Sequence, residues 1–192
     1  LINLGALLQH RGHVLEAIDI YREVLSQAPY AAEVRGNLIK SLADAGDFDA
    51  ALAEAEAAVT ATKGARGALA AQGAVLVDAE RYAEAEPVLP AALDLEPDDD
   101  MTFVNLALCQ AARQDHAAAT LSLQAAININ PHNARAVADL INCFSAAGEH
   151  AQALKLSEQF LRAHPAERLV VGSHAIALRK AGQISQADAL TT

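Results

Sequence analysis

The sequence predicts an all-α solenoid of antiparallel helix-turn-helix repeats, and three series of residues at intervals of 34 predict it. Four of the six prolines, Pro29, Pro97, Pro131 and Pro165, share one register, and Lys63 occupies the skipped position. A second series is alanine throughout: Ala17, Ala51, Ala85, Ala119, Ala153 and Ala187. The third is mostly glycine: Gly12, Gly46, Glu80, Gln114, Gly148 and Gly182. No insertion breaks this register.

The first repeat shows how each unit is built. Leu4, Gly5 and Leu8 have the spacing of one helical face, which predicts a first helix. Gly12 supplies the permissive backbone that ends this helix. The apolar stripe that begins at Ala17 predicts a second helix. Pro29 then ends it, because proline lacks the N–H of the helical ladder and clashes with the preceding turn.

Two further columns predict how the paired helices pack. Small residues at several positions of the Gly5 column would allow close approach of the helices: Gly5, Ile39, Gly73, Ala107, Ile141 and Ala175. His116 and His150 share a column with Val14, Phe48 and Tyr82, so we expect these histidines to pack at the helix-helix contact.

The middle of the chain departs from the pattern. The expected proline is replaced by Lys63, and Thr60, Thr62, Gly64 and Gly67 are poor helix formers. Pro87 and Pro90 would interrupt the next second helix. We therefore expect a kink in that helix and the lowest local stability between residues 60 and 90.

No linker rich in serine, glycine or proline divides the chain, so residues 1–192 are predicted to form one continuous array. Its repeats are expected at 1–30, 31–64, 65–98, 99–132, 133–166 and 167–192, the last of them truncated. The chain begins inside a first helix and ends inside a second, which indicates a piece of a longer polypeptide. We expect the apolar faces at both truncated ends to permit self-association.

The net charge of −10 is concentrated in the first two thirds of the chain. Such an acidic chain argues against a nucleic-acid partner, and a basic protein segment would suit it better. No apolar stretch approaches the roughly 20 residues that span a bilayer, so no membrane association is predicted. The cytoplasm is the default location.

No catalytic, cofactor or metal site is predicted. His10 and His13 lie three residues apart, but no third metal ligand accompanies them. Cys109 and Cys143, the only cysteines, occupy equivalent positions in successive repeats and are expected to be free packing residues. A phosphate-binding glycine loop, a nucleophile elbow and a zinc-binding His-Glu motif are all missing from the sequence. We therefore predict that the chain is not an enzyme.

The repeats resemble the tetratricopeptide repeat family in three segments: NLGALLQHRGHVLEAIDIYREVLSQAP at residues 3–29, VNLALCQAARQDHAAATLSLQAAININP at 104–131 and LINCFSAAGEHAQALKLSEQFLRAHP at 140–165. The resemblance covers essentially the whole chain and implies a right-handed superhelix whose first helices line a concave groove. The chain differs from the family in lacking an aromatic residue early in the first helices.

Three columns are expected to be exposed in that groove. The first contains Ile2, Gly36, Ala70, Val104, Ala138 and Gly172; the second contains Asn3, Asn37, Ala71, Asn105, Asp139 and Ser173; the third contains Ala6, Lys40, Ala74, Leu108, Asn142 and Ile176. Our predicted peptide-binding residues are Asn3, Asn37, Lys40, Asn105, Leu108, Asp139 and Asn142. An asparagine side chain both donates and accepts, so it can pair with the backbone of an extended peptide.

The asparagine column is similar to the ladder in the repeat arrays of O-linked N-acetylglucosamine transferases. A clamp for chaperone C-termini is not expected, because Lys40 is the only basic residue in the three columns. The favoured function is a scaffold that binds an extended peptide or a helix. The alternative is a substrate-recruiting region of a larger enzyme, either glycosyltransferase-like or oxygenase-like, whose catalytic domain lies outside this chain.

Overall fold

The computed structural model describes residues 2–62 and 67–190, and these residues form twelve α-helices and no strand. The helices are α1 (Ile2–His10), α2 (Val14–Gln27), α3 (Ala32–Asp44), α4 (Phe48–Thr62), α5 (Ala68–Asp78), α6 (Tyr82–Leu95), α7 (Asp100–Ala112), α8 (His116–Ile129), α9 (Ala134–Ala146), α10 (His150–Ala163), α11 (Arg168–Lys180) and α12 (Ile184–Ala189). First and second helices alternate at the predicted period, so the all-α repeat fold is confirmed. The predictions about Lys63 and Gly64 lie outside the described residues.

One turn geometry recurs between the two helices of every repeat. Its central residue has a φ between 58° and 83° at each of the six positions Gly12, Gly46, Glu80, Gln114, Gly148 and Gly182. The next N–H donates to the carbonyl five residues earlier over 2.7 to 2.9 Å, as from His13 to Leu8 and from Arg81 to Leu76. This bond closes the end of each first helix. Glu80 and Gln114 thus adopt the conformation of the glycines that they replace.

The paired helices pack through residues of matched size. A Cβ atom on Gly5 would lie 2.6 Å from Cε1 of Tyr21, and one on Gly73 would overlap Cδ2 of Leu89. In the second repeat the sizes are reversed, with Ile39 and Ala55 buried in the same core. The close approach predicted for the Gly5 column is confirmed where glycine occupies it, and a large residue is accommodated where its partner is small.

By its contacts the chain divides into two compact units, Leu1–Pro97 and Asp98–Thr192, which we call unit 1 and unit 2. In unit 1 a core around Tyr21, Leu38 and Leu42 joins α2, α3 and α4. In unit 2 two cores follow each other along the repeats, one around Val104 and Leu123 and the other around Ile141 and Val170.

Polar contacts at the start of α7 supplement the core of unit 2, and one of them joins successive repeats. Asp99 caps α7 by accepting from the N–H groups of Met101 and Thr102. Asp100 Oδ2 accepts from Nδ2 of Asn130 at 2.9 Å and from Nδ2 of Asn133 at 2.7 Å. These two aspartates are therefore not only solvated surface charges: Asp99 binds backbone N–H groups and Asp100 binds two side chains.

Helix α6 runs without interruption from Tyr82 to Leu95 and contains both Pro87 and Pro90. The prolines thus do not divide the helix as the sequence suggested. Their rings are exposed, so the neighbouring helices do not have to accommodate them. The expected kink and the low stability of this region stay predictions.

Candidate functional site

The predicted groove residues of unit 1 lie on the α1, α3 and α5 helices. Asn3 and Lys40 are exposed and Asn37 is partly exposed. Consecutive first helices contact one another here, α1 with α3 and α3 with α5. We call the side of these helices that carries Asn3, Asn37, Lys40 and Ala71 the α1–α3–α5 face.

The asparagines of the predicted ladder retain their hydrogen-bonding capacity. Within the described part of the chain, the side-chain amides of Asn3, Asn37 and Asn105 make no hydrogen bond to any other group. All three are accessible to solvent, at least in part. Each can therefore offer both a donor and an acceptor to a ligand.

Lys40 is already paired on its own helix. Its Nζ lies 3.2 Å from Oδ1 of Asp44, and the other oxygen of that carboxylate accepts from Nε2 of Gln9 at 3.1 Å. The pair is exposed, so it contributes at most about 1 kcal/mol and is easily exchanged for another partner.

Unit 2 carries the other predicted residues on α7 and α9. Asn142 is exposed, and Asn105, Leu108 and Asp139 are partly exposed. Asp139 Oδ2 accepts from Nε of Arg135 at 2.7 Å, so this carboxylate has an intrahelical partner.

Several predicted exposures are wrong. Val104 and Ala138 are each only 1% exposed and Ser173 is 5% exposed, because they belong to the tightly packed first helices of unit 2. His116, expected at the helix-helix contact, is exposed at the start of α8. His150 is partly buried, and its Nδ1 is enclosed without a hydrogen-bond partner among the described residues.

An apolar pocket of about 290 Å³ opens in unit 1 between α3, α4 and α5. Its walls include Gly36 of the first predicted groove column and Ala71 of the second. The pocket thus lies where alanine interrupts the asparagine column. The remaining lining residues are Pro29, Tyr30, Ala32, Arg35, Ile39, Ala58, Ala61, Gly67 and Ala68.

Polar contacts hold one wall of this pocket. Arg35 pairs with Glu54 through Nη1, and its Nη2 donates to the carbonyl of Pro29 at 2.9 Å. These bonds connect α3 to α4 and to the preceding loop. Tyr30, the next residue of that loop, is 91% exposed and lies at the edge of the pocket.

Neither Cys109 nor Cys143 is joined in a disulfide, as the sequence predicts. Cys109 is buried, whereas Cys143 is partly buried, and burial raises the pKa of its thiol, assisted by the negative charge of Asp139. The residues that the structure describes contain no group of three or more histidine, cysteine, aspartate or glutamate side chains arranged to bind a metal.

Comparison with protein families identifies the repeats. One tetratricopeptide repeat model matches residues 2–66 and 70–134, and a second matches residues 110–175. The chain belongs to the tetratricopeptide repeat family. Proteins of this fold typically mediate protein-protein interactions. No curated protein sequence matches this tetratricopeptide repeat chain significantly.

Solved structures share the fold at low sequence identity. A thermophilic tetratricopeptide repeat protein of Thermus thermophilus is 20% identical, with a TM-score of 0.80 over 92% of this chain and 96% of its own. Pseudomonas aeruginosa pilF is 19% identical, with a TM-score of 0.79 over 98% and 86%. YrrB, a tetratricopeptide repeat protein with an unusual peptide-binding site, is 20% identical, with a TM-score of 0.62 over 88% of each chain.

Sequence reasoning missed the pocket, since its walls come from three helices and a loop. The signal available was the pairing of Gly36 with Ala71, two small residues in neighbouring groove columns of successive repeats.

None of the helices in the described part of the chain has the length and apolar character that crossing a membrane requires.

Proposed function

We propose that this tetratricopeptide repeat chain acts as a single array that binds an extended peptide segment of a partner protein along its first helices. The observation that supports this most is the apolar pocket whose wall includes Gly36, the residue before Asn37. A peptide lying on the α1–α3–α5 face would place an apolar side chain in the pocket, while the amide of Asn37 pairs with the peptide backbone. The chain itself performs no chemistry in this role.

The small residues of the face favour this mode of binding. Gly36 is exposed, and a Cβ atom built on it would have no neighbour within 4 Å. A ligand backbone can therefore approach α3 closely at this point. Lys40 can exchange Asp44 for an acceptor on the peptide, since its present ion pair is exposed.

We further propose that the partner segment is basic. Residues 1–97 contain fifteen acidic and seven basic side chains, which gives unit 1 a net charge of −8. Residues 98–192 contain nine acidic and seven basic side chains, which gives unit 2 a net charge of −2. The field of unit 1 attracts cations and increases their rate of association at low salt.

The first step of the test is to select peptides from a displayed random library on the full chain and measure their affinity. Changing both Asn37 and Asn105 to Ala should remove hydrogen bonds worth about 0.5–1.5 kcal/mol each and weaken binding about tenfold or more. The circular dichroism spectrum should stay helical. Unchanged affinity would make these asparagines structural or merely solvated.

A second substitution tests the pocket itself. A Cβ atom at Gly36 would meet no other atom within 4 Å, so we expect a leucine there to occupy space at the pocket and to weaken binding at least about tenfold. Gly172→Leu is the matched control, because Gly172 is also an exposed helical glycine of the first column with no neighbour within 4 Å. Equal effects of the two substitutions on affinity would contradict the role of the pocket.

A further inference from the structure

Two histidines from successive inter-repeat connections meet in unit 2. His132 lies between α8 and α9, and His164 follows the last residue of α10. Nδ1 of His132 and Nε2 of His164 are 3.0 Å apart, and the rings meet edge to face with their centroids separated by 5.1 Å.

The backbone at His132 is held by a chain of hydrogen bonds. Its N–H donates to Oδ1 of Asn130 at 3.1 Å, and the amide nitrogen of Asn130 donates to Asp100 at 2.9 Å. The same carboxylate oxygen binds Asn133, the residue after His132. The backbone at His132 is therefore held by groups other than His164.

His164 is held independently. Its N–H donates to the carbonyl of Phe160 at 3.0 Å, its carbonyl accepts from the N–H of Glu167 at 3.1 Å, and its ring packs on Phe160 with centroids 4.7 Å apart. The imidazole of His164 is thus packed on Phe160, whereas His132 is anchored through its backbone, and such support lowers the entropy lost when a ligand is bound.

We propose that this histidine pair is a binding site for a divalent metal ion that prefers imidazole, of the class of Zn²⁺. Two nitrogens bound to a tetrahedral zinc ion at about 2.0–2.1 Å lie about 3.3–3.4 Å apart. To reach that distance the two facing nitrogens separate by a few tenths of an ångström, and the rings turn so that both lone pairs point at the ion. Water completes the coordination, since the described residues supply no third ligand side chain.

In this site the metal takes the position of the hydrogen that lies between the two rings. Without metal, one neutral ring donates its N–H to the lone pair of the other; with metal, both facing nitrogens present lone pairs and the other nitrogen of the donating ring takes the hydrogen. The ion links two inter-repeat connections 32 residues apart in the chain. Binding therefore stabilises the folded form of unit 2.

The test is a calorimetric titration of Zn²⁺ into the chelator-treated full chain, together with thermal unfolding at each zinc concentration. We expect one zinc per chain and a rise in the unfolding midpoint. Affinity should fall at least about tenfold in His132→Ala and in His164→Ala.

The matched control is His10→Ala/His13→Ala, which removes two histidines that lie three residues apart in the sequence. His13 contacts Glu16 in the structure, and this pair should not contribute to the site. Helical circular dichroism of every variant checks the fold, and His132→Gln and His164→Gln repeat the test with polar side chains. Absence of zinc binding would overturn the proposal. So would a zinc affinity and a thermal shift that the His132 and His164 variants leave unchanged, because the two rings would then only share a hydrogen bond.

Discussion

One residue with a positive φ lies at the centre of the turn after each first helix, and in two of the six turns this residue is not glycine. Glu80 and Gln114 have φ values of 58° and 64°, where a side chain crowds the following carbonyl. The other four positions are glycine at 80° to 83°. The shared hydrogen-bonding pattern of the turn therefore maintains a less favourable conformation at these two residues.

Replacing Glu80 or Gln114 with Gly should raise the free energy of unfolding by about 0.5 kcal/mol each. The change relieves about 1–2 kcal/mol of left-handed strain but adds backbone freedom of about 0.5–1 kcal/mol to the unfolded chain. Urea denaturation measures the difference. Gly148→Ala is the reverse control and should destabilise the chain; a destabilised Glu80→Gly would contradict the argument.

The matched sizes across each helix pair lead to a second residue-scale prediction. Gly73→Ala should cost about 1–3 kcal/mol, because the added methyl group overlaps Leu89. Leu89→Ala alone should cost about 2–5 kcal/mol through the cavity that it leaves. The double variant should lose less stability than the sum of the two single losses, since the methyl group enters that cavity. Strict additivity in a double-mutant cycle would show that the two sites do not interact.

At the element scale, the prolines of α6 distinguish it from the other second helices. Each proline removes a backbone donor, so both should lower the stability of an otherwise regular helix. Pro87→Ala/Pro90→Ala should raise the free energy of unfolding by about 1–3 kcal/mol. Hydrogen exchange should be fastest between residues 60 and 90 and should slow in α6 of the variant. Uniform protection from the second repeat through the fourth would contradict this.

Contact between α10 and α11 predicts a pH dependence. Burial lowers the pKa of His174, with a smaller opposing effect of Glu158, and its Nδ1 lies 2.7 Å from Oγ of the buried Ser157. Below the unfolded value of about 6.5 the unfolded chain binds more protons, so stability falls as pH decreases from there to the folded pKa. Chemical unfolding should show this loss. In His174→Gln the loss should be smaller; an identical pH profile would contradict the assignment.

The helices and turns were predictable because they depend on local periodicity. Proline and glycine recur at fixed offsets, and the second helices end two residues before Pro29, Pro97, Pro131 and Pro165. Exposure was less predictable. Val104 and Ala138 share a column with exposed Gly36, but packing among neighbouring helices buries them. The pocket and the His132–His164 pair bring together residues from separate elements, which periodicity alone does not specify.

At the scale of the whole molecule, each apolar core lies within one unit. The core of unit 1 includes residues from Leu8 to Val75, and the cores of unit 2 include residues from Phe103 to Ala177. We therefore expect residues 1–97 and 98–192, produced separately, each to give a helical spectrum and a cooperative urea transition. A fragment without helical signal would show that its core requires the other unit.

The matched pairs also bear on how such a chain can change over generations. Gly5 and Tyr21 belong to one repeat, as do Gly73 and Leu89, so a duplicated 34-residue segment carries both partners with it. The new copy arrives with its internal fit intact, whatever its neighbours contain. Asp100 and Asn133 belong to different repeats, and a deletion or exchange between them separates donor from acceptor. An exchange that keeps such an internal pair together should therefore be tolerated more readily than one that separates Asp100 from Asn133.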